Sequence, residues 1–206
     1  MSTIRSFIAI ELSDEARLAL TALQNRLKAV SPDDTVRWTA LENIHLTLHF
    51  LGDVAVTDLE KVAAALQSGA SGISPFSLTL GGLGCFPNMR RPRIVWTGVL
   101  GETKTLLELH HRLGERLKTL GFTLEARPYS PHLTIGRVKK EIPTRSLAQL
   151  GQALEQEQPT VGQLAGFNVA EISLMKSELR PTGVVYTQVA AAKLTASRYL
   201  HLDKAN

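Results

Sequence analysis

Two hydrophobic periods alternate along the chain, and the alternation is written twice. Residues Arg5 to Leu12 (RSFIAIEL) form a short run rich in β-branched and aromatic side chains, which predicts a strand. Behind the N-cap candidate Ser13, apolar residues recur at Ala16, Ala19, Leu20, Leu23, Leu27 and Val30. That 3.6-residue period predicts an amphipathic helix stopped at Pro32. The segment His45-Leu46-Thr47-Leu48 then returns to the two-residue period of a strand. A second round opens with the strand-like Arg93 to Val99 (RIVWTGV). A helix follows, with Leu106, Leu109, Leu113, Leu117 and Leu120 on one face and Gly121 as its C-terminal cap, and the round arrives at His132-Leu133-Thr134-Ile135.

The spacing of the two rounds matches. Phe7 to His45 is 38 positions, and Ile94 to His132 is again 38. Thr57 and Thr144 each follow their histidine by 12 residues and each opens a further helix, with Thr57-Asp58-Leu59-Glu60 in the form of a capping box. A strand-like segment closes each round, Phe76 to Leu83 and Phe167 to Met175. The expectation is a β-α-β-α-β unit used twice, with repeats at roughly 4–83 and 93–190 inside one domain spanning 1–206.

Composition narrows the setting. A 206-residue chain with 44% hydrophobic content can bury a core without covalent staples. One cysteine, Cys85, allows no intrachain disulfide, points to a reducing compartment and reads as a small buried hydrophobe. The start of the chain carries no basic-then-apolar leader and there is no apolar run of membrane-spanning length, so a soluble, cytoplasmic protein is expected. The net charge of +4 is a mild bias that permits a polyanionic substrate. Its distribution says more, because Arg90, Arg91 and Arg93 crowd a Pro-containing loop, and Arg137, Lys139 and Lys140 follow the second histidine motif.

The two tetrapeptides carry the candidate chemistry. Alternation in a strand puts His45 with Thr47, and His132 with Thr134, on one face while aliphatic residues anchor the other. An imidazole's pKa near 6.5 lets one ring serve as a base while its partner holds a proton. His49 shares the strand face of His45 by simple alternation and reads as a cleft-edge residue without catalytic duty; His110 and His111 read as helix packing or surface, and His201 as remote from the chemistry. Trp38 and Tyr129 are aromatic side chains that stack a base or pack. Neither motif sits in a carboxylate–histidine cluster, so no metal ligand and no cofactor is assigned.

With these residues in hand, the chain resembles the RNA 2′,3′-cyclic phosphodiesterases of the two-histidine phosphoesterase superfamily, also named 2′-5′ RNA ligases. The resemblance runs through Arg5-Ser6-Phe7-Ile8-Ala9-Ile10, Arg37-Trp38, Asn43-Ile44, His45 to Gly52, Phe86-Pro87, Arg91-Pro92-Arg93 before the Trp96 strand, Pro131 to Arg137, and Ser177-x-Leu179-x-Pro181-x-Gly183-x-x-Tyr186. It implies an α+β, bilobal fold with pseudo-two-fold symmetry, in which two antiparallel sheets face a central cleft, helices lie outside and each lobe bears one motif. It also implies metal-independent opening of an RNA 2′,3′-cyclic phosphate to a 2′-phosphomonoester, with reversible 2′-5′ ligation. His45 and His132 are then catalytic, with His132 as base and His45 as acid. Thr47, Thr134 and Arg137 hold the phosphate, while Phe7, which the apolar strand by itself reads most simply as core, and Tyr129 border the base. The implied partner is RNA with a cyclic phosphate end or a cyclic nucleotide, met by a monomer away from membranes. Two alternatives share the residues: a nucleotide- or RNA-binding module without turnover, and a phosphodiesterase for small cyclic-phosphate nucleotides.

Overall fold

A computed structural model describes residues 2–181 and 183–196; His201 lies outside the described residues. The first round folds as strand β1 (Thr3–Ile10), helix α1 (Asp14–Val30), a short strand β2 (Val36–Trp38), strand β3 (Leu46–Ala55), helix α2 (Leu59–Ala70), a two-residue strand β4 (Ser71–Gly72) and strand β5 (Phe76–Phe86). The second folds as β6 (Ile94–Gly101), α3 (Thr103–Thr119), β7 (His132–Val138), α4 (Thr144–Glu157), β8 (Gln163–Val169), β9 (Glu171–Arg180), β10 (Gly183–Lys193) and β11 (Thr195–Ala196).

Local signals largely act as their chemistry dictates. The Ser13 hydroxyl accepts from the Ala16 N–H at 3.3 Å and caps α1. Gly121 takes a φ of +87°, while Phe122 N–H reaches the Leu117 carbonyl and Gly121 N–H the Lys118 carbonyl, closing α3 with a Schellman motif. Leu106, Leu109, Leu113 and Leu117 are fully buried, whereas Leu120 and Val30, at the helix ends, are exposed. The capping box at Thr57 does not form. A 3-10 turn over Val56–Asp58 precedes α2, so Thr57 lies within that turn, and Asp58 instead pairs with Lys61 at 2.8 Å.

The predicted Phe167–Met175 strand is two strands. The chain leaves one sheet after Val169 and enters the other at Glu171, a switch that residue alternation does not reveal. The four-stranded sheet has the order β10-β9-β1-β3, and the five-stranded sheet the order β2-β7-β6-β5-β8, with antiparallel pairing throughout both. Each sheet therefore borrows from the other round: β9 pairs with β1, and β5 pairs with β6. Helices are exchanged too, since α1 packs on β8 and α4, and α2 packs on α3, β9 and β10. Leu20, Leu27, Leu66, Leu106 and Leu109 on the helices and Ile8, Leu46, Leu78, Leu80, Leu133 and Ile135 on the strands form the fully buried core that holds the motif strands in place.

Candidate active site

Each histidine motif begins at the mouth of a core strand. In β3, Leu46 and Leu48 are buried while His45 and Thr47 stay partly open; in β7, Leu133 and Ile135 are buried while His132 and Thr134 stay partly open. The aliphatic residues thus anchor the strands, and the His and Thr side chains share the remaining face. Strands β3 and β7 belong to different sheets yet approach within 8 Å, Cα to Cα. A bridge joins them, for the Tyr129 hydroxyl just before β7 donates to the Thr47 carbonyl of β3 at 2.9 Å.

Both histidines sit in aromatic surroundings built in parallel. The His45 ring stacks on Phe7 with centroids 4.5 Å apart and meets the edge of Tyr186 at 5.1 Å. His132 meets Phe86 edge-on at 4.9 Å and lies 6.2 Å from Trp96. His132 Nδ1–H donates to the Ser130 carbonyl at 2.7 Å, which fixes the ring and leaves Nε2 as its second nitrogen. Burial pushes the His45 pKa down to about 4; the Asn43 backbone carbonyl opposes this and the Arg17 charge adds to it. His45 is therefore neutral in the free protein near pH 7.

Strand bulges decide which other side chains reach the site. Opposite β1, Phe7 pairs with Phe50, Ile8 with His49 and Ala9 with Thr47, so Leu48 is an extra residue that reverses the alternation. His49 consequently turns to the helix side. It is buried there, its Nε2–H donates to the His110 carbonyl at 2.9 Å, and its ring stacks on His110 at 4.1 Å. His49 is thus a packing residue and not a cleft-edge residue. The same bulge puts the exposed Phe50 on the face of Phe7, 6.2 Å from it between ring centroids. On β7, Thr134 pairs with Trp96, Gly136 with Val95 and Arg137 with Ile94, which makes Ile135 the extra residue. Strict alternation would point Arg137 away from Thr134; the bulge returns it to the same face. Its charge and that of Arg5 act on the Tyr186 hydroxyl and partly offset the upward push of burial on that group.

The other expected residues separate. Phe7 is buried beneath His45, so it does not border an open pocket. Tyr129 stacks on His110 with centroids 4.0 Å apart and nearly parallel planes, leaving one ring face covered. Trp38 packs over Gly136, whose missing side chain makes room for it. Arg90, Arg91 and Arg93 are exposed, and Lys139 pairs with Asp34. Cys85 is buried and its thiol pushed up to about 11, in keeping with a small core residue. Sequence reasoning gave no site role to Tyr186, Phe86, Trp96, Phe50 or Arg5, although all five lie in segments that carry the resemblance. Their strands become neighbours only through the sheet exchange and the bulges. Among the described residues, no group of three or more His, Cys, Asp and Glu side chains is arranged to hold a metal ion, and no helix is long and apolar enough to cross a membrane.

Two His-x-Thr strands brought together by a duplicated α+β frame define a two-histidine phosphoesterase. The family model for LigT-like phosphoesterases matches the chain twice, over residues 10–96 and 100–186. The chain belongs to the LigT-like phosphoesterase family and is a cyclic phosphodiesterase of that family. It is 36% identical to the RNA 2′,3′-cyclic phosphodiesterase of Methanothermobacter thermautotrophicus, with 93% of this chain and 99% of the relative aligned. It is 33% identical to the enzyme of the same name from Archaeoglobus fulgidus, over 89% of this chain and 96% of that one. Among solved structures, a Thermus thermophilus protein superposes with a TM-score of 0.77 at 27% identity, covering 94% of this chain and 100% of the other. Escherichia coli LigT in its apo form superposes with a TM-score of 0.71 at 26% identity, covering 95% and 99%.

Proposed function

We propose that the cleft opens a terminal RNA 2′,3′-cyclic phosphate to a 2′-phosphomonoester, with His45 and His132 as the proton-transfer pair and without a metal ion. The observation that carries this reading is the pair of His-x-Thr faces on neighbouring strands of separate sheets, held by mirrored backbone and aromatic contacts. The names borne by the relatives supply the substrate class. A structure of Escherichia coli LigT, 25% identical to this chain, is a complex with NADP+, a phosphate-bearing nucleotide.

The bonds follow from the product. Water attacks phosphorus in line with O3′; a P–O bond to water forms as the P–O3′ bond breaks, and the phosphate stays on O2′. His132 takes the proton from water through Nε2, and His45 donates to the departing O3′. Since burial holds His45 neutral in the free protein, its acid duty depends on the bound phosphodiester, whose negative charge favours the imidazolium. Thr47 and Thr134 hydroxyls hold the nonbridging oxygens, and Arg137 supplies fixed positive charge to the transition state. Phe50 offers an exposed aromatic face to the base. A 5′-hydroxyl in place of water gives a 2′-5′ diester by the same steps, so ligation is the companion reaction.

Product analysis tests the reading. A 2′,3′-cyclic-phosphate oligonucleotide and the 2′,3′-cyclic mononucleotides, each incubated with excess EDTA, should yield 2′-phosphates only. Loss of turnover on chelation with rescue by zinc or manganese, or a 3′-phosphate product, would overturn it. Turnover of mononucleotides with no action on the oligonucleotide would reassign the substrate to small cyclic nucleotides.

A further inference from the structure

The connection between α3 and β7 touches both histidine motifs within two consecutive residues. Tyr129 sends its hydroxyl across to the Thr47 carbonyl at 2.9 Å, and the next residue, Ser130, offers its carbonyl to His132 Nδ1–H at 2.7 Å. The first contact grips β3 beside the Leu48 bulge, where the ladder to β1 is irregular. Strand β3 is also the edge of its sheet, so a carbonyl turned away from β1 has no strand to pair with. The second contact selects the tautomer of His132 and sets its ring direction.

The tyrosine is itself held from behind. Its ring lies 4.0 Å from His110 at an interplanar angle of 6°, and His110 lies 4.1 Å from His49. His49 in turn bonds the His110 carbonyl, which ties helix α3 to the same strand β3 that Tyr129 grips. Burial raises the Tyr129 pKa, so the phenol keeps its proton and remains a donor throughout the working pH range. Nothing in the proton transfers of the proposed mechanism uses this hydroxyl. Its position makes it a strut between the sheets.

We propose that Tyr129 is a positioning residue that sets the distance between the two histidine motifs, through its hydroxyl on Thr47 and, by way of Ser130, the ring of His132. This rests on the reading that both histidines act on one phosphate. A reaction that needs base, phosphorus and acid nearly in line is steeply sensitive to that distance, and a 1 Å misplacement costs on the order of 100-fold in rate.

Tyr129→Phe removes the hydroxyl and leaves the stacked ring. The expected result is a fall in kcat of about 10-fold or more with KM changed less than about twofold, because a displaced general base weakens the transition state more than ground-state binding. His110→Phe preserves the stack and should leave kcat near wild type. The decisive comparison repeats Tyr129→Phe in a His132→Ala background, measured in single turnover with enzyme in excess. If Tyr129 acts by placing His132 against the first motif, its removal there should change the rate less than about twofold, the non-additivity of residues that work as a unit. Equal losses in both backgrounds, or unchanged kcat in folded Tyr129→Phe, would overturn the proposal. A lowered melting point with unaltered kcat would reduce Tyr129 to packing. If the wild-type protein failed to open any 2′,3′-cyclic phosphate, the functional reading would fall first, and the two failures are thereby distinct.

Discussion

The neutral state of His45 links burial, acid stability and the pH dependence of turnover, and it can be tested by replacing His45 with Gln. The unfolded chain titrates this imidazole near 6.5, whereas the folded protein holds it at about 4 because burial against Phe7 and Tyr186 penalises the charged ring. Below pH 6.5 the unfolded state therefore binds the proton that the folded state refuses. Stability from this group is complete above pH 6.5 and is lost as pH falls toward 4. At about 1.4 kcal/mol per pH unit, the gap between 6.5 and about 4 amounts to about 3 kcal/mol. Urea unfolding of wild type and His45→Gln at intervals from pH 7.5 to 4 isolates the contribution, because Gln does not titrate and the other histidines are common to both. The expected result is that wild type loses about 3 kcal/mol more than the variant across that window. The His45 ring resonance in folded wild type should titrate near pH 4. Parallel stability curves, or a His45 resonance titrating near 6.5 in the folded protein, would refute the reasoning. The same pKa should put the ascending limb of kcat/KM near pH 4, whichever proton duty His45 performs, since kcat/KM reports the free enzyme.

Further outcomes follow from named contacts. Replacing His45 or His132 by Ala should lower turnover of a 2′,3′-cyclic substrate by about 10² to 10⁴-fold while circular dichroism at pH 7.5 still reports a folded protein; near-normal turnover in either variant would exclude the paired-histidine mechanism. Gly84→Ala would bring a methyl within 2.2 Å of the Trp96 indole, so the indole must move; an overpacking loss of about 1 to 3 kcal/mol in chemical denaturation is expected, with reduced kcat because Trp96 flanks His132. Gln24→Leu strips the buried amide that donates to the Thr39 and Ile135 carbonyls, each at 2.8 Å; the Ile135 carbonyl keeps the Thr39 N–H at 3.0 Å, so the cost should be about 1 to 3 kcal/mol for the Thr39 carbonyl left without its donor. An unchanged denaturation midpoint would show that water replaces the amide.

Local chemistry makes a large part of this protein legible in the chain itself. Helix α1 and helix α3 follow from apolar period, Ser13 and Gly121, because capping and amphipathicity are properties of a few adjacent residues. The duplication and the two His-x-Thr faces follow from spacing and from strand alternation, which needs no neighbour to be stated. Alternation fails where a neighbour imposes a bulge. Leu48 and Ile135 each become an extra residue only because β1 and β6 pair across them, and those two slips send His49 to the helix side and bring Phe50 and Arg137 to the site. Pairing across the rounds is equally invisible locally: β5 joins β6 and β9 joins β1 because sheets bury apolar faces wherever the whole chain can supply them, which also splits the apolar run around Ala170 into two strands. The sequence by itself determined the two histidines, their threonines and the helices behind them. Tertiary structure alone decided the aromatic wells that enclose each imidazole, the depressed pKa of His45, and the tyrosine that spans the two sheets, since each depends on groups that meet only after long-range pairing is complete.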